Sequence, residues 1–558
     1  MRQIFLLAFL GAAATLVSLA ATASEDASEN TGRQAVAVQQ APPGIAAHEL
    51  FAPGTECMAC HNGLVTSGGQ DVSIGSDWQA SMMANSARDP YWQAAVRREI
   101  MDHPQASAEI QDECSACHMP MSRYAASMEG KMGQVFGHLP FRANASPMNT
   151  LAQDGVSCTV CHQIEERNLG TRESFTAGFE IDTNRHPPTR TIYGPFPVTH
   201  GRRSVMQSAA RFEPRQGMQI RDSGLCGSCH TLYTHTRGEG GETIGTLPEQ
   251  MPYLEWKHSA FYGEQSCQQC HMPVVGEEMP ISSVLGQPRE GFRRHVFRGG
   301  NFFMLRMLAR YRDELSVDAS AAALSETARV TEEHLKEASA RVTVPSARIE
   351  DSRLMAQVAV ENLAGHKLPT AYPSRRAWLH LEVQDVLGRT IFESGRFNPD
   401  GSISGNANDA DPSSFEPHYQ TIRLPGEVQI YEGILAAPDG TVTTGLLTAI
   451  TYTKDNRLLP RGFDKHTADP DIAVHGRAAI DDDFSASGDT VYYDVALGRS
   501  NGPYRLVVRL LYQPIAYRWA LNLAPYDAFE TQRFTRYYRS MAAQSAIVLT
   551  SAAITLAR

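Results

Sequence analysis

Two hydrophobic patterns divide the chain. At the start, Ile4 to Ala20 is an almost uninterrupted apolar run behind the basic Met1-Arg2-Gln3. Ala21-Thr22-Ala23 then supplies the small-x-small pattern of a signal-peptidase site, with Ser24 as the mature start. The reading is a cleaved export signal over residues 1–23. The competing membrane anchor lacks support from the polar stretch that follows. Residues 24–44, rich in Ala, Gln, Glu and Pro without a period, predict a flexible leader. Residues 45–315 hold no sustained period and predict short helices and loops, with Gly238 to Gly245 a mobile loop and Asn301 to Arg310 helical. The stripe Leu324, Ala328, Thr331, Leu335 predicts a connecting helix within 316–340, with His334 beside the stripe and solvated.

From Arg341 a period of two takes over. Strands are predicted at Arg341 to Ile349, Leu354 to Asn362, Ala377 to Asp385, Arg389 to Ser394, Val428 to Leu435, Leu446 to Thr453, Thr490 to Leu497 and Arg505 to Tyr512. Turn signals such as Asn398-Pro-Asp-Gly401 and Pro438-Asp-Gly440 separate them. The fold class expected is a mainly α/irregular domain (45–315), a helical connector (316–340) and an all-β sandwich-like domain (341–558). Phe529 to Ala557 is expected to close that domain as helix. His380 falls on the polar side of its strand. The acidic turns Asn408-Asp409-Ala-Asp411 and Asp481-Asp482-Asp483 lack the Gly and terminal Glu of a dedicated calcium loop, and read as solvated.

Composition sharpens this picture at one point. The 558 residues, 42% hydrophobic and 20% charged, are those of a soluble globular protein of several domains. A net charge of −11 argues against a nucleic-acid partner. All ten cysteines fall in pairs separated by two residues, and histidine follows every pair: Cys57, Cys60, His61; Cys114, Cys117, His118; Cys158, Cys161, His162; Cys226, Cys229, His230; Cys267, Cys270, His271. This is the attachment sequence of c-type haem: two thiols add to the porphyrin vinyl groups and the histidine ligates iron from below. Zinc uses such pairs two at a time and needs no fixed following histidine, and a thioredoxin-type pair would stand alone. Five covalent haems c are therefore expected. First cysteines follow one another at 57, 44, 68 and 41 residues, too close for five separate cores. The haems themselves must form much of the interior.

Electron-transfer haems need a sixth ligand, usually His or Met, whereas an open position signals catalysis. Four segments here resemble multihaem cytochromes related to the tetrahaem cytochrome of the hydroxylamine oxidation pathway. They are Trp78-Gln-Ala-Ser81-Met82-Met83, Gly194-Pro195 with His200, His295-Val-Phe-Arg-Gly-Gly-Asn301, and Gly365-His366-Lys-Leu-Pro369-Thr. The resemblance implies that His200, His295 and His366 are distal ligands. It also implies a distal histidine where this chain has Met83. That leaves a His/Met haem, a haem whose sixth ligand comes from elsewhere or is absent, or plain core packing for Met82-Met83. Independently of the resemblance, Gly365 and Pro369 punctuate a turn that projects His366 towards a neighbour. His138 and His48 are weaker distal candidates.

The leading function is electron transfer between a donor and an acceptor redox protein, in the periplasm or on the outer cell surface. A multihaem oxidoreductase acting on a small nitrogen or sulfur compound at an open haem is one alternative. A protomer of a surface electron conduit is another, with oligomerisation left open.

Overall fold

Short helices dominate the cysteine-bearing half because caps and prolines stop them early. Asp89 accepts from the Tyr91 and Trp92 amides and Pro90 opens the helix Pro90–Asp102, which turns Tyr91, Trp92, Ala94 and Val96 inward. Asn301 caps Phe302–Arg310, which buries Phe302, Phe303, Met304, Leu305, Met307 and Leu308. Ser320 caps the longer helix Ala321–Ala338, which buries Leu324, Ala328, Thr331 and Leu335 on the expected stripe. Two small pairings interrupt the helices. Strands β1 (Arg190–Gly194) and β2 (Phe212–Gln216) run parallel. Strands β3 (Leu232–Arg237) and β4 (Thr243–Gln250) form a hairpin, so the loop expected at 238–245 is a tight turn followed by strand.

This computed structural model describes residues 46–142, 145–486 and 488–557. The predicted export signal and leader, over 1–44, lie outside them. The described residues belong to one compact unit, Gln39–Arg558, and none of their helices is long and apolar enough to cross a membrane.

The second half is built from strands β5 (Ala340–Glu350), β6 (Arg353–Asn362), β7 (Arg376–Gln384), β8 (Thr390–Ser394), β9 (Thr421–Ile422), β10 (Ile430–Ala436), β11 (Val442–Thr443), β12 (Thr451–Asp455), β13 (Asp489–Ala496), β14 (Tyr504–Gln513) and β15 (Ile547–Leu556). One sheet has the order β11-β10-β7-β14-β15, with β12 on β10 and β8 on β7; the other has the order β5-β6-β13-β9. Inward residues of both, such as Leu379 and Leu381 of β7 and Val358 and Val360 of β6, share one core. That core runs on without a break through Phe302–Leu308 to Trp92, so the helical half and the sheets are packed as one body.

Several expectations change here. Residues 547–556 are a strand, not the end of a closing helix: only Phe529–Met541 is helical. β15 pairs antiparallel with β14 along Tyr504↔Leu556 to Tyr512↔Ile547. An apolar tail of small residues has no strong preference of its own, and an unpaired sheet edge decides it. The strand expected over 446–453 begins only at Thr451, because the Glu99 carboxylate accepts from the Leu446 and Leu447 amides and holds them in a turn. Neither acidic turn is fully solvated. Asp409 is buried in a two-pronged ion pair with Arg376 (2.8 and 3.0 Å), and Asp481 is 2% exposed.

Candidate functional site

Four cysteine pairs open or lie on a short helix, Gly54–His61, Ser107–His118, Cys158–Cys161 and Cys267–His271, and in the fourth unit Cys226 lies on Ser223–Gly227 with Cys229 in the turn just after it. Residues three apart share a helix face, which is what two thiols bonding one planar ring require. Local caps start two of these helices: Asp222 accepts from the Gly224 amide, and Ser266 with Gln269 forms a capping box. All ten cysteines are free and only partly exposed. Yet protein surrounds them, and burial pushes Cys114 far up and Cys161 up to about 12. Groups enclosed by protein but still reached by solvent line internal clefts.

The histidines after the pairs are oriented from behind. Nδ1 of His61 donates to the Ile281 carbonyl at 2.6 Å, that of His118 to Ser86 at 3.0 Å, that of His162 to Tyr193 at 2.6 Å and that of His271 to Arg298 at 2.6 Å. A carbonyl only accepts, so Nδ1 carries the proton and Nε2 keeps its lone pair for a metal. Burial holds these rings neutral, His118 and His271 pushed down to about 4. The His118 ring is further fixed by Trp92, stacked on it at 4.3 Å.

Two further imidazoles face this set. His295 lies with its ring 6.4 Å from that of His162 at 21°, and His366 lies 6.2 Å from His271 at 11°. An imidazole nitrogen sits about 2 Å from a metal and the ring centre about 1 Å behind it, so two imidazoles on one ion lie roughly 6 Å apart. Both added rings present the same chemistry: His295 Nδ1 donates to the Arg293 carbonyl (3.2 Å), His366 Nδ1 to that of Lys367 (2.9 Å). Burial pushes His295 down to about 3. The residues present thus fit haem on two counts, thiol pairs in clefts and opposed neutral imidazoles.

The other distal candidates stand differently. His200 is exposed at the start of the helix His200–Ala209. His48 is half-buried in the turn Ala47–Leu50, and His138 is half-buried with Nδ1 on Asn149 Oδ1 at 2.7 Å. Met83 is half-buried. Its carbonyl accepts from the Val156 amide at 2.9 Å, and Trp78 donates to the Val156 carbonyl at 2.9 Å, so this segment leans on the third unit. His334 is not solvated as expected. It is half-buried, with its ring 6.4 Å from His271 at 72°, and burial pushes it down to about 4. Its position one step off an apolar stripe is the only signal the sequence offers, and the stripe's edge faces the fifth unit.

The units sense one another through their thiols. Cys57 of the first unit and Cys158 of the third, Cys117 of the second and Cys229 of the fourth, and Cys226 of the fourth and Cys267 of the fifth shift each other's pKa, the first of each pair raised and the second lowered, Cys267 to about 7. Cys161 and Cys229 also sense each other's charge. The fourth unit is therefore the hub, with one arm through the third to the first.

A buried acid stands beside the second unit. Glu249 accepts from Gln250 (2.9 Å) and from Thr234, and burial raises it to about 7, near enough to push up Cys114 and Cys117. A raised carboxyl contributes stability that is full below its unfolded value near 4 and lost as pH rises through about 7. Thermal melts at pH 5 and 8 should therefore show the parent losing on the order of 2–3 kcal/mol more than Glu249→Gln across that interval. Equal losses would mean that Glu249 does not titrate there.

No family model matches the chain, and no curated protein does. Among solved structures it is similar to a penta-haem cytochrome c552 from Thermochromatium tepidum. The TM-score is 0.51 at 15% identity, over 92% of this chain and 100% of that one. The two share a fold. The match spans the helical half and the sheets together, so this joint architecture is not peculiar to one chain.

Proposed function

We propose that this chain is an exported multihaem c-type cytochrome that carries electrons between redox proteins in the periplasm or at the outer surface. Haem is attached at all five units, to Cys57/Cys60, Cys114/Cys117, Cys158/Cys161, Cys226/Cys229 and Cys267/Cys270, with His61, His118, His162, His230 and His271 as proximal ligands. The observation that carries the reading is the pair of opposed imidazoles, His162 with His295 and His271 with His366, at single-metal spacing. The fold shared with a penta-haem cytochrome supports it.

Bound haem supplies one-electron redox chemistry, and the rest falls to the polypeptide. Backbone carbonyls hold the rings of His61, His118, His162 and His271 in one tautomer and so keep their Nε2 atoms basic. Burial keeps the imidazoles neutral across the physiological range. Thiols of units one and three, three and four, four and two, and four and five lie near enough to shift one another's pKa, so haems attached there would be neighbours. Opposed histidines at two units favour transfer over catalysis there, since His162 with His295 and His271 with His366 would hold the iron from both sides and leave no open position for a substrate.

The test is the purified, haem-loaded protein. Its mass should equal the mature polypeptide plus five haems, and electron paramagnetic resonance should show low-spin bis-histidine signals. A bare polypeptide mass from a host that matures cytochromes would end the proposal. Replacing His295 by Met should raise one midpoint potential by on the order of 0.1 V, because thioether ligation favours the reduced iron. An unchanged redox titration would remove His295 from the ligand set.

A further inference from the structure

We propose that the sheet-bearing half holds a binding site for one hard divalent cation of the calcium class, formed by the carboxylates of Asp481, Asp483 and Asp489 beside His418. The donor atoms of His418, Asp481 and Asp489 lie within 4.8 Å of one another, all three residues buried. Asp489 is the first residue of β13, paired with Val360 of β6. Gly488 before it has φ +112°, and a Cβ there would stand 1.9 Å from the Val360 carbonyl, so only glycine lets the chain enter so closely. This entry delivers Asp489 into the interior opposite the turn at 481–483.

The Asp489 carboxylate is only half satisfied. Its side chain is 1% exposed. Oδ2 accepts from Tyr431 Oη at 2.7 Å and Gln429 Nε2 at 3.0 Å, while Oδ1 has no partner. Protonation does not resolve this: Oδ2 is already an acceptor twice over, so the proton would sit on Oδ1 and find no acceptor. Ionisation leaves a bare charge in the interior. Oδ1 of Asp483 is likewise buried and unpartnered. His418 Nε2 stands 3.8 Å from Asp489 Oδ1, beyond hydrogen-bond reach, and a cation there would satisfy that oxygen, with Asp483 lining the same recess. Neither nearby ammonium serves it: Lys465 points its Nζ at the carbonyls of Ala478, Asp481 and Phe484, and Lys454 pairs with Glu432 at 2.9 Å.

The donor set selects the ion. His418 Nδ1 receives Gln429 Nε2 at 2.8 Å and Asn456 Nδ2 at 3.1 Å. Both amides are fixed in that orientation, because their oxygens accept from the Tyr419 and Glu432 amides. Nδ1 is therefore an acceptor, and Nε2 carries the proton that it donates to Asp481 Oδ2 at 3.1 Å. With no lone pair left on His418, only oxygens remain, which suits calcium and not zinc or copper. Asp483, Gly488 and Asp489 line a surface recess of about 200 Å³ with Glu361 and Arg341, through which the ion and its remaining waters enter.

The experiment uses the full, haem-loaded protein, stripped with a chelator and titrated calorimetrically with calcium and, separately, with zinc. Expected are one calcium per chain, a higher Tm with calcium, and an unchanged haem spectrum. Asp489→Asn should abolish binding, and the half-exposed Asp483→Asn should weaken it at least tenfold. No saturable calcium binding up to millimolar concentration overturns the proposal. So does tighter binding of zinc than calcium at this stoichiometry, or calcium binding that neither variant alters. The parent titration decides the matter even if Asp489→Asn fails to fold.

Discussion

Serine at both Cys158 and Cys161 is expected to remove one haem and to disconnect the first unit from the rest. Cys158 and Cys57 of unit one shift each other's pKa, and Cys161 is raised by the charge of Cys229 of the fourth unit. The third unit is thus the link between the end of one arm and the hub. Mass spectrometry should find the parent mass less one haem. Stopped-flow reduction from a donor at the far side should show the first centre filling at least tenfold more slowly, while the second and fifth keep their rates. The control is serine at Cys267 and Cys270. That pair ends an arm, touching the fourth unit through Cys226 alone among the thiol contacts described, so its loss should cost one haem without slowing any other centre. Equal slowing by both variants would disprove the branched order.

The second large effect concerns stability and lies beneath His366. Lys367, 0% exposed, donates to Asp455 Oδ2 at 2.8 Å, and Arg457 donates to the same carboxylate at 2.7 and 2.9 Å. Arg457 also pairs with Glu255 at 2.9 Å, and Glu255 accepts from the Lys367 amide at 3.1 Å. Two cations and two anions close a buried ring that ties the helix Pro252–Lys257 to the sheets and holds the turn carrying His366. The paired cations hold Asp455 well below the usual carboxylate range, against the opposing effect of its burial. Asp455→Ala leaves the Lys367 ammonium without a carboxylate in the interior, while Arg457 keeps Glu255, and breaking such a buried pair costs about 3–5 kcal/mol. Chemical denaturation should show that loss. The same variant should broaden or shift the low-spin signal assigned to the fifth unit, because His366 is the next residue to Lys367. A loss under about 1 kcal/mol, the range of an exposed pair, would mean that the ring does not hold the turn. The sign with pH follows from the depressed value. The contribution is present above the unfolded carboxyl range near 4, and is lost only as pH falls further towards the folded value.

Legibility in the sequence followed locality. The five Cys-x-x-Cys-His units are each complete within five residues, and the alternation in β6, β7, β13 and β14 is fixed by which residues must face inward. The stripe of Ala321–Ala338 was readable for the same reason. Pairing was not. Met541 to Ala557 carries no period strong enough to choose between helix and strand, and β14 chose for it by offering an open edge. His334 escapes a sequence reading because a residue at the margin of a stripe faces whatever packs there, and nothing in its neighbours names His271. Asp409 and Asp481 belong to turns that look solvated until Arg376 and His418 close over them from elsewhere in the chain.

By itself, then, the sequence determined the five thiol pairs, each with its histidine, and the hydrophobic faces of the strands, since both are properties of residues a few positions apart. Only the tertiary structure decided that His295 opposes His162 and His366 opposes His271, which thiols touch between units, and which carboxylates meet in the interior. Those partners are separated by tens to hundreds of residues, and their meeting depends on how the whole core packs.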